Sequence, residues 1–331
     1  MSWRISILDK SPVAEHETAA DALARTLSLA QQAETLDYHR FWIAEHHNTP
    51  QLASPSPELL IAWILGQTRR IRVGSGGVML QHYSPYKVAE NFNLLAAIAP
   101  GRVDLGVGKA PGGLPLSTRA LQLGLSQQEK GDFASQLAQL NGWIKPTSQE
   151  EAVRATPQPQ VPAAGFLLGA STESARLAAS LDWDFVFAAH LNGDPDLLRE
   201  VIGTWRAHSA REVIVAVQAI VAPTQEQAEA LASAVEVWGV ELANGQRVTV
   251  ASEEQAYAFA RQAGSEPLRI ARRAQSLLAG TAESVLEQLD ALHQQWGIDE
   301  FIIDTPVADG AARVQSLRLL AQARQQKEVA V

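Results

Sequence analysis

Short apolar runs closed off by turn residues recur along the chain, and most are followed by longer stretches in which apolar side chains return every three or four positions. The runs are Trp3–Leu8, Phe41–Ala44, Ile71–Leu80, Val103–Gly108, Gly165–Gly169, Phe185–Ala188, Val213–Val221 and Phe301–Ile303. This is the pattern of a parallel sheet covered by helices, and eight such strands predict an α/β protein built as a (β/α)8 TIM barrel. The helical stretches each carry one apolar stripe, such as Leu23, Leu27 and Ala30, or Val285, Leu289, Leu292 and Trp296, which predicts packing against the barrel.

Two stretches break the rhythm. Pro111–Pro162 is rich in Gly, Pro and Gln around one predicted helix near Phe133–Trp143, and Gly239–Gly280 is polar and helical in character. Both are long enough to cover a barrel mouth, so they are expected to be insertions at the C-terminal face. No Pro/Gly/Ser linker separates two units, and residues 1–331 are expected to form one domain.

Composition narrows the function. A chain of 331 residues falls within the roughly 200 to 400 that such a barrel occupies, and 46% hydrophobic residues supply a large core. The formal charge of −9, without a run of basic residues, argues against nucleic acid as a partner. No apolar stretch reaches the ~20 residues that span a bilayer, and Met1-Ser2-Trp3-Arg4 leads directly into a strand, so a cytoplasmic protein without membrane contact is expected. The absence of cysteine removes disulfides, thiolate metal sites, iron–sulfur clusters and cysteine nucleophiles together. Redox chemistry here requires a borrowed cofactor.

The second strand ends in Ala44-Glu45-His46-His47-Asn48, an acid and two imidazoles where barrel enzymes keep their catalytic groups. Adjacent side chains on a strand point to opposite faces, so at most one of His46 and His47 faces the mouth; a hydrogen-bonded loop histidine is the plainer alternative. His82 and His190 follow strands three and six at the same rim. With a carboxylate such histidines suit zinc or iron, but the tight spacing of helical zinc sites is missing.

Gly74, Gly76 and Gly77 interrupt the third strand, which fits either the close approach of a flat aromatic ring or a β-bulge that curves the barrel. The Gly106–Gly113 run after strand four matches neither a phosphate loop nor a dinucleotide fingerprint. What it supplies is Lys109, a rim cation that is either solvated or a point charge for a phosphate. After strand five, Gly169-Ala170-Ser171-Thr172-Glu173-Ser174 opens a helix through hydroxyl residues, which fits both an ordinary N-cap and an anion cradle.

Trp42–Asn48, the Val73–Leu80 strand, Ser84-Pro85-Tyr86-Lys87-Val88-Ala89-Glu90 and Pro100–Gly108 together resemble, in order and spacing, the bacterial luciferase-like flavin-dependent monooxygenases. The resemblance continues through Gly169–Ala179 and returns at Gly280-Thr281-Ala282-Glu283 and Asp299-Glu300-Phe301. It implies His46 as the catalytic residue beside a flavin, preceded by Glu45, and Gly76 and Gly77 as a cis-linked small pair against the isoalloxazine. It also implies Lys109, Ser171 and Ser174, in a turn with Ala170 and Thr172, as the contacts of an FMN phosphate. Three positions depart from the family: Lys109 replaces an arginine, Ala170 a glutamate and Gly108 a reactive cysteine. Lysine keeps the charge and loses the bidentate fork.

The resemblance further implies FMN in its reduced form as co-substrate, dioxygen, a small organic substrate, a separate NAD(P)H:flavin reductase and a homodimer. Substrate candidates are long-chain aldehydes, alkanes, organosulfur compounds and thioethers; light emission is not implied. Reduced flavin is productive with dioxygen only where water is excluded and proton delivery is controlled, which a covered apolar barrel mouth and a histidine can arrange. Deazaflavin-dependent hydride transfer and flavin binding without catalysis are the alternatives.

Overall fold

All eight predicted barrel strands form in the computed structural model, which describes residues 2–126, 130–145, 153–189, 194–273 and 276–329. They are β1 (Arg4–Asp9), β2 (Arg40–Ile43), β3 (Arg72–Met79), β4 (Val103–Gly108), β5 (Ala164–Gly169), β6 (Asp184–Ala188), β7 (Ile214–Val221) and, after four further strands, β12 (Glu300–Asp304). Each pairs in parallel with its neighbour, and the β6–β7, β7–β12 and β12–β1 pairings close the ring. Predicted and observed boundaries of these strands agree within one or two residues, because parallel strands buried on both faces stand out as unbroken apolar runs.

Alternation along the strands divides two cores. Leu8, Trp42, Ala44, Phe166, Val186, Ile214, Ala216 and Ile302 pack together inside the barrel. Their neighbours Ile7, Phe41, Ile43, Val215, Phe301 and Ile303 pack outward against the helices. On helix Ala19–Thr35 the fully buried face is Ala22, Thr26, Leu29, Ala30 and Ala33, so the predicted stripe is rotated and Leu23 and Leu27 lie at its margin. Helix Ala282–Trp296 buries Val285, Leu286 and Leu289 and half-buries Leu292 and Trp296.

The N-terminal end of the barrel is closed by charge. The Arg40 guanidinium donates to both oxygens of Glu300 at 2.6 and 2.8 Å and to Asp104 at 2.9 Å, with all three side chains buried. Trp42 Nε1 also donates to Asp104, at 2.9 Å, and Ser6 Oγ to Glu300, at 2.5 Å. Burial opposes the charged form of Arg40, but Asp104 and Glu300 outweigh it and raise its pKa further. His39, the residue before, shows the uncompensated case. Burial, aided by the charge of Arg40, lowers its pKa to about 4.

A neutral His39 in the folded state has a defined consequence. Protons bind the unfolded chain more readily, so the stability that His39 contributes is present above its ordinary pKa near 6.5 and is lost as pH falls toward 4. Thermal unfolding of His39→Gln is expected to depend less steeply on pH across that window than unfolding of the parent chain.

The two irregular stretches turn out differently. In the first, helix Phe133–Ile144 forms where predicted, and a short helix Pro115–Leu121 forms as well, begun by proline at its first turn. The second, read from sequence as helical, holds one helix and more residues in strands than in that helix. β8 (Trp238–Leu242), β9 (Arg247–Val250) and β10 (Pro267–Arg272) make an antiparallel sheet in the order β10-β8-β9. Helix Glu253–Ala263 packs on this sheet through Ala256, Phe259 and Ala260 against Val240 and Leu242. A fourth strand, β11 (Leu277–Gly280), adds in parallel to the C-terminal half of β7. These strands are short, and β8 to β10 alternate polar and apolar residues at an exposed edge, so no apolar run marks them.

Candidate active site

At the C-terminal end of β3 the register against β4 slips. Ser75 lies opposite Leu105 but Val78 lies opposite Val107, so β3 carries one residue more than β4 across this step. Such a bulge reverses the facing of every later side chain. Val78 thus joins the helix-facing core, and Met79, paired with Gly108, turns to the interior. Gly76 and Gly77, linked by a cis peptide bond, form the bulge.

The close approach these glycines permit is made by the barrel itself. A Cβ on Gly76 would lie 2.6 Å from Leu8 and 3.1 Å from the Trp42 ring, and one on Gly77 would lie 2.9 Å from the Gly106 backbone. One strand further, the crowding ends: a Cβ on Gly108 would meet Met79 Sδ alone among the described residues, at an ordinary 3.7 Å. The interior face is therefore covered by Leu8 and Trp42 at Gly76, and room in front of the wall begins at Gly108 on β4.

His46 lies three residues beyond the end of β2 and is half-buried. Glu45 and His47 extend the outward series Phe41, Ile43, and both are buried. Glu45 is the hub on that side. Its Oε1 accepts from Tyr83 Oη and pairs with His47 Nε2, both at 2.7 Å, and its Oε2 accepts from the Met79 N–H at 3.0 Å. Burial and then the Glu45 carboxylate push the Tyr83 hydroxyl to a higher pKa, so Tyr83 stays a donor. The structure thus places Glu45 where it ties the end of β2 to the end of β3.

The loop after β4 lies over this corner. The His47 N–H donates to Gly112 O at 2.8 Å, Gln81 Nε2 to Lys109 O at 2.9 Å, and His82 Nε2 lies 2.8 Å from Pro111 O. Gln122 reaches the other His82 nitrogen at 3.1 Å, so Nε2 carries the proton and both nitrogens are committed. Burial lowers the His82 pKa, in keeping with a neutral ring. Gly113 is needed for contact rather than conformation: a Cβ there would come within 2.7 Å of His47 O. The antiparallel sheet module is held to this loop, because Leu114 packs into its core and Leu116 N–H donates to Gln262 Oε1 at 3.0 Å.

Lys109 is exposed at the end of β4. Gly108 pairs with Leu168, so Lys109 and the Ser171 turn leave adjacent strand ends. Ser171 caps helix Thr172–Ser180, accepting from the Ser174 N–H at 3.2 Å, and the two hydroxyls are 3.0 Å apart. Ala170 and Thr172 are half-buried beside them. A Cβ on Gly169 would strike Ser174 at 2.6 Å, so this glycine gives Ser174 its place.

His190 lies outside the described residues, and among those described no group of three His, Asp or Glu side chains is placed to hold a metal ion. Sequence reasoning missed three interior groups across the mouth from Gly76: Lys10, Asp304 and Gln218. Strand parity could have found them, since Lys10 follows Leu8, Asp304 follows Ile302 and Gln218 follows Ala216 on the interior face.

Residues 1–300 match the family model described as luciferase-like monooxygenase. N-acetyl-S-alkylcysteine monooxygenase of Bacillus subtilis (strain 168) is 44% identical over 328 residues, covering 97% of this chain and 98% of its own. The crystal structure of apo-MsnO8 superposes with a TM-score of 0.79 at 29% identity, covering 98% of each chain. The FMN complex of the oxygenating constituent of 3,6-diketocamphane monooxygenase, from Pseudomonas putida, superposes with a TM-score of 0.68, covering 97% of each chain, and at 19% identity shows the fold alone. The match over nearly the whole chain, on a closed parallel barrel, settles the assignment: the chain belongs to the luciferase-like monooxygenase family and is an oxidoreductase.

Proposed function

We propose that the protein is an FMN-dependent monooxygenase that uses reduced flavin, delivered by a separate reductase, to place one oxygen atom of dioxygen into an S-alkylated, N-acylated cysteine. The observation that carries this reading is the open face of Gly108 at the mouth end of β4, two strands from the end of β2 that leads into His46. A flat ring needs such a face, and a side chain at Gly108 would occupy it. The substrate class follows the relative that is 44% identical over nearly the whole chain and is named for that substrate.

The residues present fit FMN. Ser171 Oγ, Ser174 Oγ and the free N–H groups of the first turn of helix Thr172–Ser180 would hold the phosphate, with Lys109 as counter-charge at the next strand end. When bound, the reduced flavin supplies the two electrons that activate dioxygen, and the second oxygen atom leaves as water. The protein's part is position, dryness and protons. The glycine wall and Met79 set the plane of the site, and the Lys109–Gly113 loop, pinned by His47, Gln81 and His82, covers its edge. His46 would give or take a proton at its imidazole.

Titration with FMN and FMNH2, together with oxygen uptake and mass analysis of the thioether product under labelled dioxygen, tests the reading. Turnover without dioxygen uptake would point to a deazaflavin hydride transferase instead. Replacing Lys109, or Ser171 and Ser174 together, by alanine is expected to weaken FMN roughly 10-fold, the scale of one lost charge-assisted hydrogen bond. Riboflavin, which lacks the phosphate, should be spared, and equal losses for both ligands would remove the phosphate site from the proposal.

A further inference from the structure

The interior wall opposite the glycine bulge carries an ion pair that the barrel does not need. Leu8 pairs across to Asp304 on β12, and Asp304 pairs to Gln218 on β7. Lys10 stands one interior position above Leu8, and its Nζ donates to Asp304 Oδ2 at 2.5 Å. Gln218 Nε2 donates to the same oxygen at 2.9 Å. Asp304 is 1% exposed, while a quarter of the Lys10 side chain remains exposed. Desolvating such a pair is an expense that an apolar pair of the same size would avoid, so it is weak as a stability device. Around it the interior is apolar, with Leu8, Ala44, Ile302 and Ala216. An apolar mouth with a few convergent polar groups is the usual form of a small-molecule site.

We propose that Lys10, held by Asp304 and Gln218, is the subsite for the substrate's carboxylate, and so the residue that makes the enzyme select acidic thioethers over neutral ones. The proposal rests on the substrate class given above. An ammonium has three N–H donors and no acceptor, so after one is spent on Asp304 the others are available to an anion in the mouth. Tethering matters because a free lysine side chain would lose about 2 kcal/mol of rotamer entropy on being fixed by a ligand. Charge makes the group necessary as well as available. The whole chain carries a formal charge of −9, which disfavours an acidic substrate at long range, so a local cation must supply the attraction. The position is suitable too, since Leu8, directly below Lys10, is the side chain nearest to the interior face of Gly76.

The test compares an N-acetyl-S-alkylcysteine with its carboxamide, which keeps the thioether and loses the charge, in the full enzyme with FMN and a flavin reductase. The wild type is expected to favour the acid in kcat/KM by roughly 10- to 100-fold, the range of a hydrogen-bonded charge pair. Lys10→Met should raise KM for the acid by a similar factor and bring the preference toward unity. Lys10→Arg, which keeps the charge, should retain most of the preference and shows that the fold tolerates change at this position. FMN affinity, read by flavin fluorescence, separates a substrate contact from a flavin contact. An undiminished preference in Lys10→Met, or a loss of FMN affinity that matches the loss of acid turnover, would overturn the subsite. Turnover of both compounds without preference by the wild type overturns the subsite alone, whereas turnover of neither overturns the substrate class and the subsite with it.

Discussion

His46→Ala is expected to lower kcat for substrate oxygenation by roughly 100- to 10,000-fold, the usual contribution of a positioned general acid or base. The size follows from the location of the side chain. His46 is proposed to face the mouth, while its neighbours Glu45 and His47 are committed to Tyr83, the Met79 N–H and each other. Those neighbours hold the loop in place but cannot substitute for an imidazole in the mouth. FMN affinity should change far less than kcat, because the phosphate contacts proposed at Ser171 and Ser174 are on β5 and its helix, away from β2. The measurement is product formed per dioxygen consumed, beside FMN affinity. A variant that keeps wild-type coupling and rate would show that His46 is a packed loop histidine and no more.

The largest effect on stability is expected at the opposite end of the barrel. Arg40→Met should cost about 3 to 5 kcal/mol, because it leaves Glu300 and Asp104 buried without the guanidinium that satisfies both. Two features keep the loss near the lower figure. Arg72 still reaches Asp104, and Arg4 lies 3.6 Å from Glu300. Adding Glu300→Gln to Arg40→Met should recover part of the stability, since it removes a buried charge instead of leaving it alone. Urea unfolding midpoints of the single variant, the double variant and the parent chain decide the matter. A single variant within about 1 kcal/mol of the parent would mean that water enters the barrel floor and solvates the carboxylates.

Sequence alone determined the eight barrel strands, the helix near residue 133 and the family. Each of these is a local property: an apolar run, a stripe or a motif. Tertiary structure decided the rest. The bulge at Gly76 and Gly77 exists only as a mismatch with β4, and the role of Glu45 as a hub depends on Tyr83 and Met79, which lie more than thirty positions away in the chain. The sheet of β8 to β10 is built from segments that are too short and too polar to announce themselves singly, and they become strands by pairing and by packing on helix Glu253–Ala263. Lys10 and Asp304 are 294 positions apart, and strand parity marks each of Lys10, Asp304 and Gln218 as interior without bringing them together. Closing eight strands into a ring brings the first beside the last, and that closure is what places a lysine, a carboxylate and an amide at one mouth.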